Sequence, residues 1–216
     1  STTATMKTTT TTTVASTNNP LLADWSARPF ALPPFEEIDT SHFQPALTVA
    51  MQAHLDDLQA IVDDPAEPTF DNVVAALDRA GHLLAKVSGV YANLGSSLNT
   101  EPLQAVQTIM SPIMSRHRSK TYTLPGLFDK IHAIYETRNE SGLNAEQVRL
   151  VERIHMDFVR QGAQLDAEAQ EQLAEIKAQL ATLRTQFNQN VLKDESDYEL
   201  VVTRADLEGC PTSLVE

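Results

Sequence analysis

Apolar side chains recur every three or four residues along most of this chain, in runs separated by proline, glycine or helix-capping residues. That spacing places the apolar side chains of each run on one face of an α-helix. The most regular run comprises Leu173, Ile176, Leu180, Leu183 and Phe187, as in a helical hairpin or a coiled-coil seam. The pattern predicts a mainly α fold, an antiparallel bundle or array of about six helices.

The expected helix boundaries each have a local chemical cause. Proline is tolerated in a first turn, as at Pro102, whereas Pro112 should kink the helix that contains it. Asn144 and Gln147 have the spacing of a capping box, and Asp166 can cap the last helix. The six expected helices begin near Asp39–Ser41, Thr69, Asn99–Thr100, Pro125, Asn144 and Asp166, and the second runs to about Leu94.

The composition divides the chain into four segments. Residues 1–19 hold ten threonines and are expected to form a disordered tail, because they have too few apolar residues to bury a core. Residues 20–38 are rich in proline and aromatic residues and are expected to form an extended strap. Residues 39–194 are expected to form the helical N-terminal domain, and residues 195–216 are expected to be the truncated start of the next element, a strand and a turn. The expected anchors of the strap are Trp25, Phe30, Leu32 and Phe35.

One short β-strand is expected near the C-terminus, from Tyr198 to Thr203, where β-prone residues cluster. A lone strand needs a partner for its backbone groups, and the sequence offers no obvious one. We therefore expect the chain to be the opening segment of a larger protein.

Charge and composition exclude some partners and leave the compartment open. The formal net charge of −13 argues against nucleic acid, which is bound mainly through cationic contacts to phosphate. No stretch approaches the ~18 unbroken apolar residues of a membrane span, so no membrane partner is expected. No signal peptide is visible. The default expectation is a cytoplasmic protein, or a periplasmic or cell-envelope protein if Ser1 is a mature exported N-terminus. Cys210 is the single cysteine, which excludes an internal disulfide.

The residues themselves predict no complete active site. None of the six histidines is part of a His-Glu-x-x-His motif, and no two lie four residues apart. Glu152 and His155 form one Glu-x-x-His unit, but a di-iron bundle needs a second copy, so we interpret them as polar neighbours on a helix. The basic cluster Arg116–Lys120 is interpreted as a helix C-terminus, with an anion or peptide-carboxylate contact as the alternative. We assign no catalytic, cofactor-binding or metal-binding residue in this chain.

Several segments together carry a family resemblance. Their order and spacing resemble the opening of bacterial peptidyl-dipeptidases, within the thimet oligopeptidase family of zinc metallopeptidases, from about Asn19 to Glu216. Gln186-Phe187-Asn188-Gln189 is more similar to the peptidyl-dipeptidase branch than to the oligopeptidase A branch. The other matching segments are Asn19–Leu22, Leu32–Ile38, His42–Leu47, Thr69–Leu77, Val148–His155 and Phe158–Val159.

The resemblance implies a large, mostly helical enzyme of two lobes with a deep channel between them. Its zinc ligands and its catalytic His-Glu-x-x-His motif would lie downstream of this chain. The implied parent releases dipeptides from the C-termini of short peptides. The present chain would supply part of the channel wall, with short peptides and the missing C-terminal catalytic lobe as its partners. Alone it is expected to bind no zinc and to be inactive.

A stand-alone helical module that binds a peptide or a partner helix without catalysis is the alternative function. A His-Glu-x-x-His motif further along the same gene would distinguish the two hypotheses.

Overall fold

Helices dominate the structure. The computed structural model describes residues 19–215, and gives no side-chain description for residues 214 and 215. Six helices of eleven residues or more confirm the mainly α prediction. The α-helices are α1 (Phe43–Asp63), α2 (Ala75–Arg79), α3 (His82–Ser97), α4 (Glu101–Tyr122), α5 (Leu127–Thr137), α6 (Ala145–Gln161), α7 (Ala167–Asp197) and α8 (Thr212–Val215).

The longer helices pack mainly as three antiparallel pairs: α1 with α3, α4 with α7, and α5 with α6. In the α4–α7 pair, the Gln189 side chain donates a hydrogen bond to the Gln104 carbonyl near the start of α4. Further along α4, Arg116 forms an ion pair with Glu175, nearer the start of α7. The two helices therefore run in opposite directions, as the sequence pattern predicts.

Two apolar cores form around α1, which contributes to both. The first half of α1 packs with α3, α4 and the N-terminal segment, where Leu21 and Trp25 are buried. The second half of α1 packs with α5, α6 and the π-helical turn Phe70–Val74. The largest fully buried side chains are Phe43, Leu21, Leu47, Leu58, Met110, Leu127, Ile131, Val73, Val74, Val87 and Val151.

The prediction of one helix from Thr69 to Leu94 is wrong. The chain instead forms the π-helical turn, the short α2 and then α3, with a break at Ala80 and Gly81. Gly81 adopts a left-handed backbone conformation, with φ of 71°, that ends a right-handed helix. Its N–H donates a hydrogen bond to the Asp57 carboxylate of α1 (3.0 Å), which gives the interrupted backbone a partner.

The predicted strand is also wrong. Tyr198–Thr203 has no regular secondary structure, and no strand occurs anywhere in residues 19–215. Tyr198, Leu200 and Val201 are largely exposed, so the apolar residues that suggested a strand have no partner in this part of the molecule. A 3₁₀-helix, Arg204–Leu207, follows the segment.

Only one of the predicted strap anchors is buried. Trp25 lies in the first core, and its indole N–H donates to the Pro20 carbonyl (2.9 Å). Phe30, Leu32 and Phe35 are exposed, and the strap contains 3₁₀ turns rather than a uniformly extended backbone. The predicted disordered tail lies outside the described residues except for Asn19, whose side chain donates to the carbonyl of His42.

Two further features concern α4 and the helices as a class. α4 is unbroken from Glu101 to Tyr122 and contains Pro112 in its interior. Among the helices of residues 19–215, none combines the length and the apolar composition that a bilayer crossing needs.

Candidate functional site

A cavity of about 640 Å³ opens where α1 and α4 meet α3, α6 and α7. Most of its lining is apolar, with a small number of imidazole, guanidinium and hydroxyl groups among the apolar side chains. A concave apolar surface with a few polar groups is the usual character of a small-molecule or side-chain binding site. The lining residues are Met51, His54, Leu58, Leu77, Leu84, Ser111, Met114, Ser115, His117, Arg118, Thr121, Tyr122, Phe158 and Ala181.

Two imidazoles meet in this cavity. His54 Nδ1 lies 3.0 Å from His117 Nε2, so one nitrogen donates a hydrogen bond to the other. α1 and α4 run parallel here, which brings together two residues that are 63 positions apart in the sequence. The rings are tilted by 56° with centroids 5.2 Å apart.

Both imidazoles favour the neutral form. Burial, with smaller contributions in the same direction from the neighbouring His54 and Lys120, lowers the pKa of His117 to about 4. Burial also lowers the pKa of His54, with partial opposition from the negative charge of Asp57. A neutral imidazole has one free nitrogen lone pair, so each ring can accept a hydrogen bond or bind a metal ion at neutral pH.

The break between α2 and α3 fixes one side of the His54 ring. A Cβ atom built on Gly81 would lie only 2.8 Å from His54 Cδ2. The backbone therefore approaches the imidazole more closely than any other residue type allows. Gly81 thus both ends α2 and limits the positions available to His54.

The same cavity contains two methionines in equivalent positions. Met51 lies three residues before His54 on α1, and Met114 lies three residues before His117 on α4. Residues three apart share a helix face, so each helix presents one thioether and one imidazole to the cavity. Met51 is buried and Met114 is partly buried in the first core.

A second histidine pair lies between α5 and α6. His132 Nδ1 is 3.1 Å from His155 Nε2, and Tyr135 stacks on His155 with centroids 3.9 Å apart and planes only 9° apart. The Arg138 guanidinium lies over the Tyr135 ring, 3.9 Å from the ring centre. This cluster is a set of stacked rings that joins two helices, and not a cavity.

Glu152, the acid of the Glu-x-x-His unit, pairs with two arginines and does not act with His155 as a pair of metal ligands. It accepts hydrogen bonds from Arg138 (3.4 Å) and Arg149 (3.2 Å), and the Arg149 bond is the first cause of its lowered pKa. His155 is buried in the aromatic stack, where burial lowers its pKa. The two residues therefore have separate structural partners.

The basic cluster divides between different surfaces of α4. Arg116 turns towards α7, where it pairs with Glu175 and lies 3.8 Å from Glu171. His117 faces the cavity instead. Cys210 is exposed. Within residues 19–215, no three His, Cys, Asp or Glu side chains gather in a way that could hold a metal ion.

Sequence reasoning missed the pairing of His54 with His117. The two residues belong to different helices, and no local pattern gives the relative placement of two helices. The signal that could have suggested it is the repeated Met-x-x-His spacing, which occurs once on α1 and once on α4.

Comparison with known proteins defines the class. The chain is related to peptidases, and specifically to the dipeptidyl carboxypeptidases and oligopeptidases A of the thimet oligopeptidase family. No family model matches the chain.

The relatives that support this relationship are much longer proteins. The dipeptidyl carboxypeptidase of Salmonella typhimurium is 34% identical over 81% of the chain and 25% of its own length. The protein of the same name from Escherichia coli is 33% identical over 87% of the chain and 27% of its own length. Oligopeptidase A of Escherichia coli is 28% identical over 90% of the chain. The chain thus spans about a quarter of the length of these curated relatives.

Proposed function

We propose that this chain is the N-terminal helical region of a zinc-dependent peptidyl-dipeptidase that releases dipeptides from the C-termini of short peptides. The observation that carries the proposal is the similarity to two dipeptidyl carboxypeptidases over more than four fifths of the chain. Identity to the oligopeptidases A is lower, at 27 to 29%, which favours the dipeptidase branch.

The chemistry of the proposed parent would come from residues outside this chain. This sequence contains no His-Glu-x-x-His motif, so the zinc ligands and the general base would belong to the remainder of the parent. Bound zinc there would polarise the scissile carbonyl and activate a water molecule. The present helices would contribute shape: a rigid wall that admits short unfolded peptides to the channel and keeps folded proteins out.

An uncovered apolar surface on α7 supports the proposal of a larger parent. Ile176, Leu180, Leu183 and Phe187 are 54%, 45%, 60% and 67% exposed. They follow the three- and four-residue steps of a helix face that normally packs against another element. Large contiguous apolar patches on a folded protein mark interaction surfaces. We propose that the remainder of the parent covers this stripe.

The cytoplasm is the proposed compartment. One related protein from Arabidopsis thaliana is named a probable cytosolic oligopeptidase A, and another is named as chloroplastic and mitochondrial. Export to the periplasm has no support from the relatives' names, so we do not propose it.

The decisive experiment compares the complete gene product with this 216-residue chain. Both would be purified without chelators, analysed for zinc, and assayed for dipeptide release from a peptide with a free C-terminus. We expect the complete product to hold zinc and to release dipeptides, and a variant with the Glu of its His-Glu-x-x-His motif replaced by Gln to lose activity while retaining zinc.

A complete gene product that lacks this motif, or that contains it and cleaves no peptide, would overturn the proposal. The stand-alone interaction module would then be the better account, because the apolar stripe and the cavity would both suit a helix or peptide partner.

A further inference from the structure

The cavity between α1 and α4 holds a repeated pair of soft donor side chains. Met51 and His54 lie on one helix, and Met114 and His117 lie on the other, at the same spacing and in the same direction. The two imidazole nitrogens already approach to 3.0 Å. Both methionines also pack in the first core, and the proposed peptidase chemistry uses none of these four side chains.

We propose that Met51, His54, Met114 and His117 form a binding site for a single Cu(I) ion. Thioether and imidazole groups together suit Cu(I), because soft sulfur ligands favour this ion and imidazole is compatible with it. The site would be independent of the proposed zinc centre of the parent.

The two imidazole nitrogens are already close to the separation that a shared ion needs. Two nitrogens that bind one ion at about 2.0 Å in a tetrahedral arrangement are separated by about 3.3 Å. The present separation is 3.0 Å, so the nitrogens would move apart by a few tenths of an ångström. Because the two nitrogens now face each other, both rings would also rotate so that their lone pairs point at the ion. The ring that now donates the hydrogen bond would shift its proton to its other nitrogen, with no net change in protonation.

The methionines can reach the same point. A residue three positions earlier lies about 4.5 Å back along the helix axis on the same face. Methionine has three rotatable bonds beyond its backbone and adapts to irregular space. The cavity of about 640 Å³ leaves room for both thioethers to turn towards the imidazoles.

Zinc competes weakly at this position. Zn²⁺ prefers thiolate, imidazole and carboxylate ligands. The Asp57 carboxylate, which is near His54, already accepts a hydrogen bond from the Gly81 N–H. The site should therefore select Cu(I) over Zn²⁺.

The test is an anaerobic titration of the 216-residue chain with Cu(I) in competition with a coloured Cu(I) chelator. The exposed thiol of Cys210 would also bind copper, so the titration uses the Cys210→Ser variant throughout. We expect one Cu(I) per chain, and X-ray absorption at the copper edge should show both nitrogen and sulfur neighbours.

Two variants and one control connect this binding to the proposed ligands. His117→Ala should remove binding, and Met114→Leu, which conserves volume, should weaken it at least about tenfold. His132→Ala is the matched control, since His132 and His155 are 3.1 Å apart but have Asp129 and Glu152 at the positions of the methionines. This control should bind Cu(I) as tightly as the Cys210→Ser chain does.

Circular dichroism and thermal unfolding would show that each variant is folded before it is titrated. The proposal is overturned if the folded chain takes no Cu(I) from the chelator, or if copper binds with nitrogen neighbours alone. It is equally overturned if Met114→Leu leaves the affinity unchanged, or if His132→Ala weakens binding as much as His117→Ala does.

Discussion

Gly81 links the backbone break before α3 to the imidazole pair in the cavity. Its positive φ, its hydrogen bond to Asp57 and its close approach to the His54 ring are three separate constraints on one residue. The sequence does not predict the contact with His54, because residues 54 and 81 are far apart in the chain. A substitution here separates the cost of the backbone conformation from the cost of the contact.

We expect Gly81→Ala to destabilise the fold more than Gly142→Ala does. Both glycines have φ near +70°, so both variants lose about 1–2 kcal/mol to the left-handed conformation. Only Gly81 has a neighbour, His54 Cδ2, at 2.8 Å from the new methyl group, whereas nothing lies within 4 Å at Gly142. The clash should add about 1 kcal/mol or more. Urea unfolding of the two variants measures the difference, and equal losses would show that His54 moves aside freely.

Stability should fall as the pH falls from 6.5 towards 4, in part because of His117. Its pKa is about 4 in the fold, against 6.5 for an unperturbed histidine. Between these values the unfolded chain takes up a proton that the folded chain does not, which favours unfolding. The His117→Gln variant lacks this contribution, so its stability should depend less on pH over that range. Urea unfolding at several pH values tests this, and titration of the His117 ring signal near 6.5 by NMR would contradict it.

At the scale of the helices, the sequence predicts what local chemistry determines. The capping box of α6 is present: Asn144 accepts from the Gln147 N–H (2.9 Å), and the Gln147 side chain accepts from the Asn144 N–H (3.0 Å). Asp166 likewise caps α7 by accepting from the Ala169 N–H (2.8 Å). These contacts are within a few residues, so spacing alone reveals them.

The wrong predictions at this scale concern features that depend on contacts with distant parts of the chain. The break at Gly81 is completed by Asp57, 24 residues earlier. The segment Tyr198–Thr203 has β-prone residues, but propensity does not make a strand without a neighbour to pair with.

Asn144→Ala should destabilise the chain by about 1 kcal/mol. The substitution removes the acceptor for the Gln147 N–H and leaves the first turn of α6 without its side-chain partner. Asn144→Asp keeps an acceptor at the same place and is the matched control, expected to remain near the original stability. Chemical unfolding gives both values. If the Ala and Asp variants were equally stable, the capping box would contribute nothing to the fold.

At the scale of the whole molecule, the candidate site was beyond sequence reasoning while the family was not. The resemblance rests on many short segments in a fixed order, which the comparison with dipeptidyl carboxypeptidases confirms. The cavity depends on how α1 packs beside α4, and the histidines that meet there are 63 residues apart. Neither helical periodicity nor a capping pattern predicts that these two histidines meet.

The α7 stripe yields a prediction that depends on the proposed parent. Replacing Leu183 and Phe187 by Gln, a good helix former, should leave the stability of the 216-residue chain within about 0.5 kcal/mol, because both side chains are exposed. The same double variant in the complete gene product should lose about 2 kcal/mol or more, since the stripe would then be buried against the rest of the parent.

Leu47→Ala is the control for this experiment. Leu47, on α1, is fully buried, so its replacement should destabilise both forms by about 2–5 kcal/mol. Urea unfolding of the chain and of the complete product, each with and without the stripe substitutions, completes the comparison. If the double variant is as stable as the original in both forms, the stripe does not pack against the remainder of the protein. Its exposed side chains would then have to be explained by a separate partner.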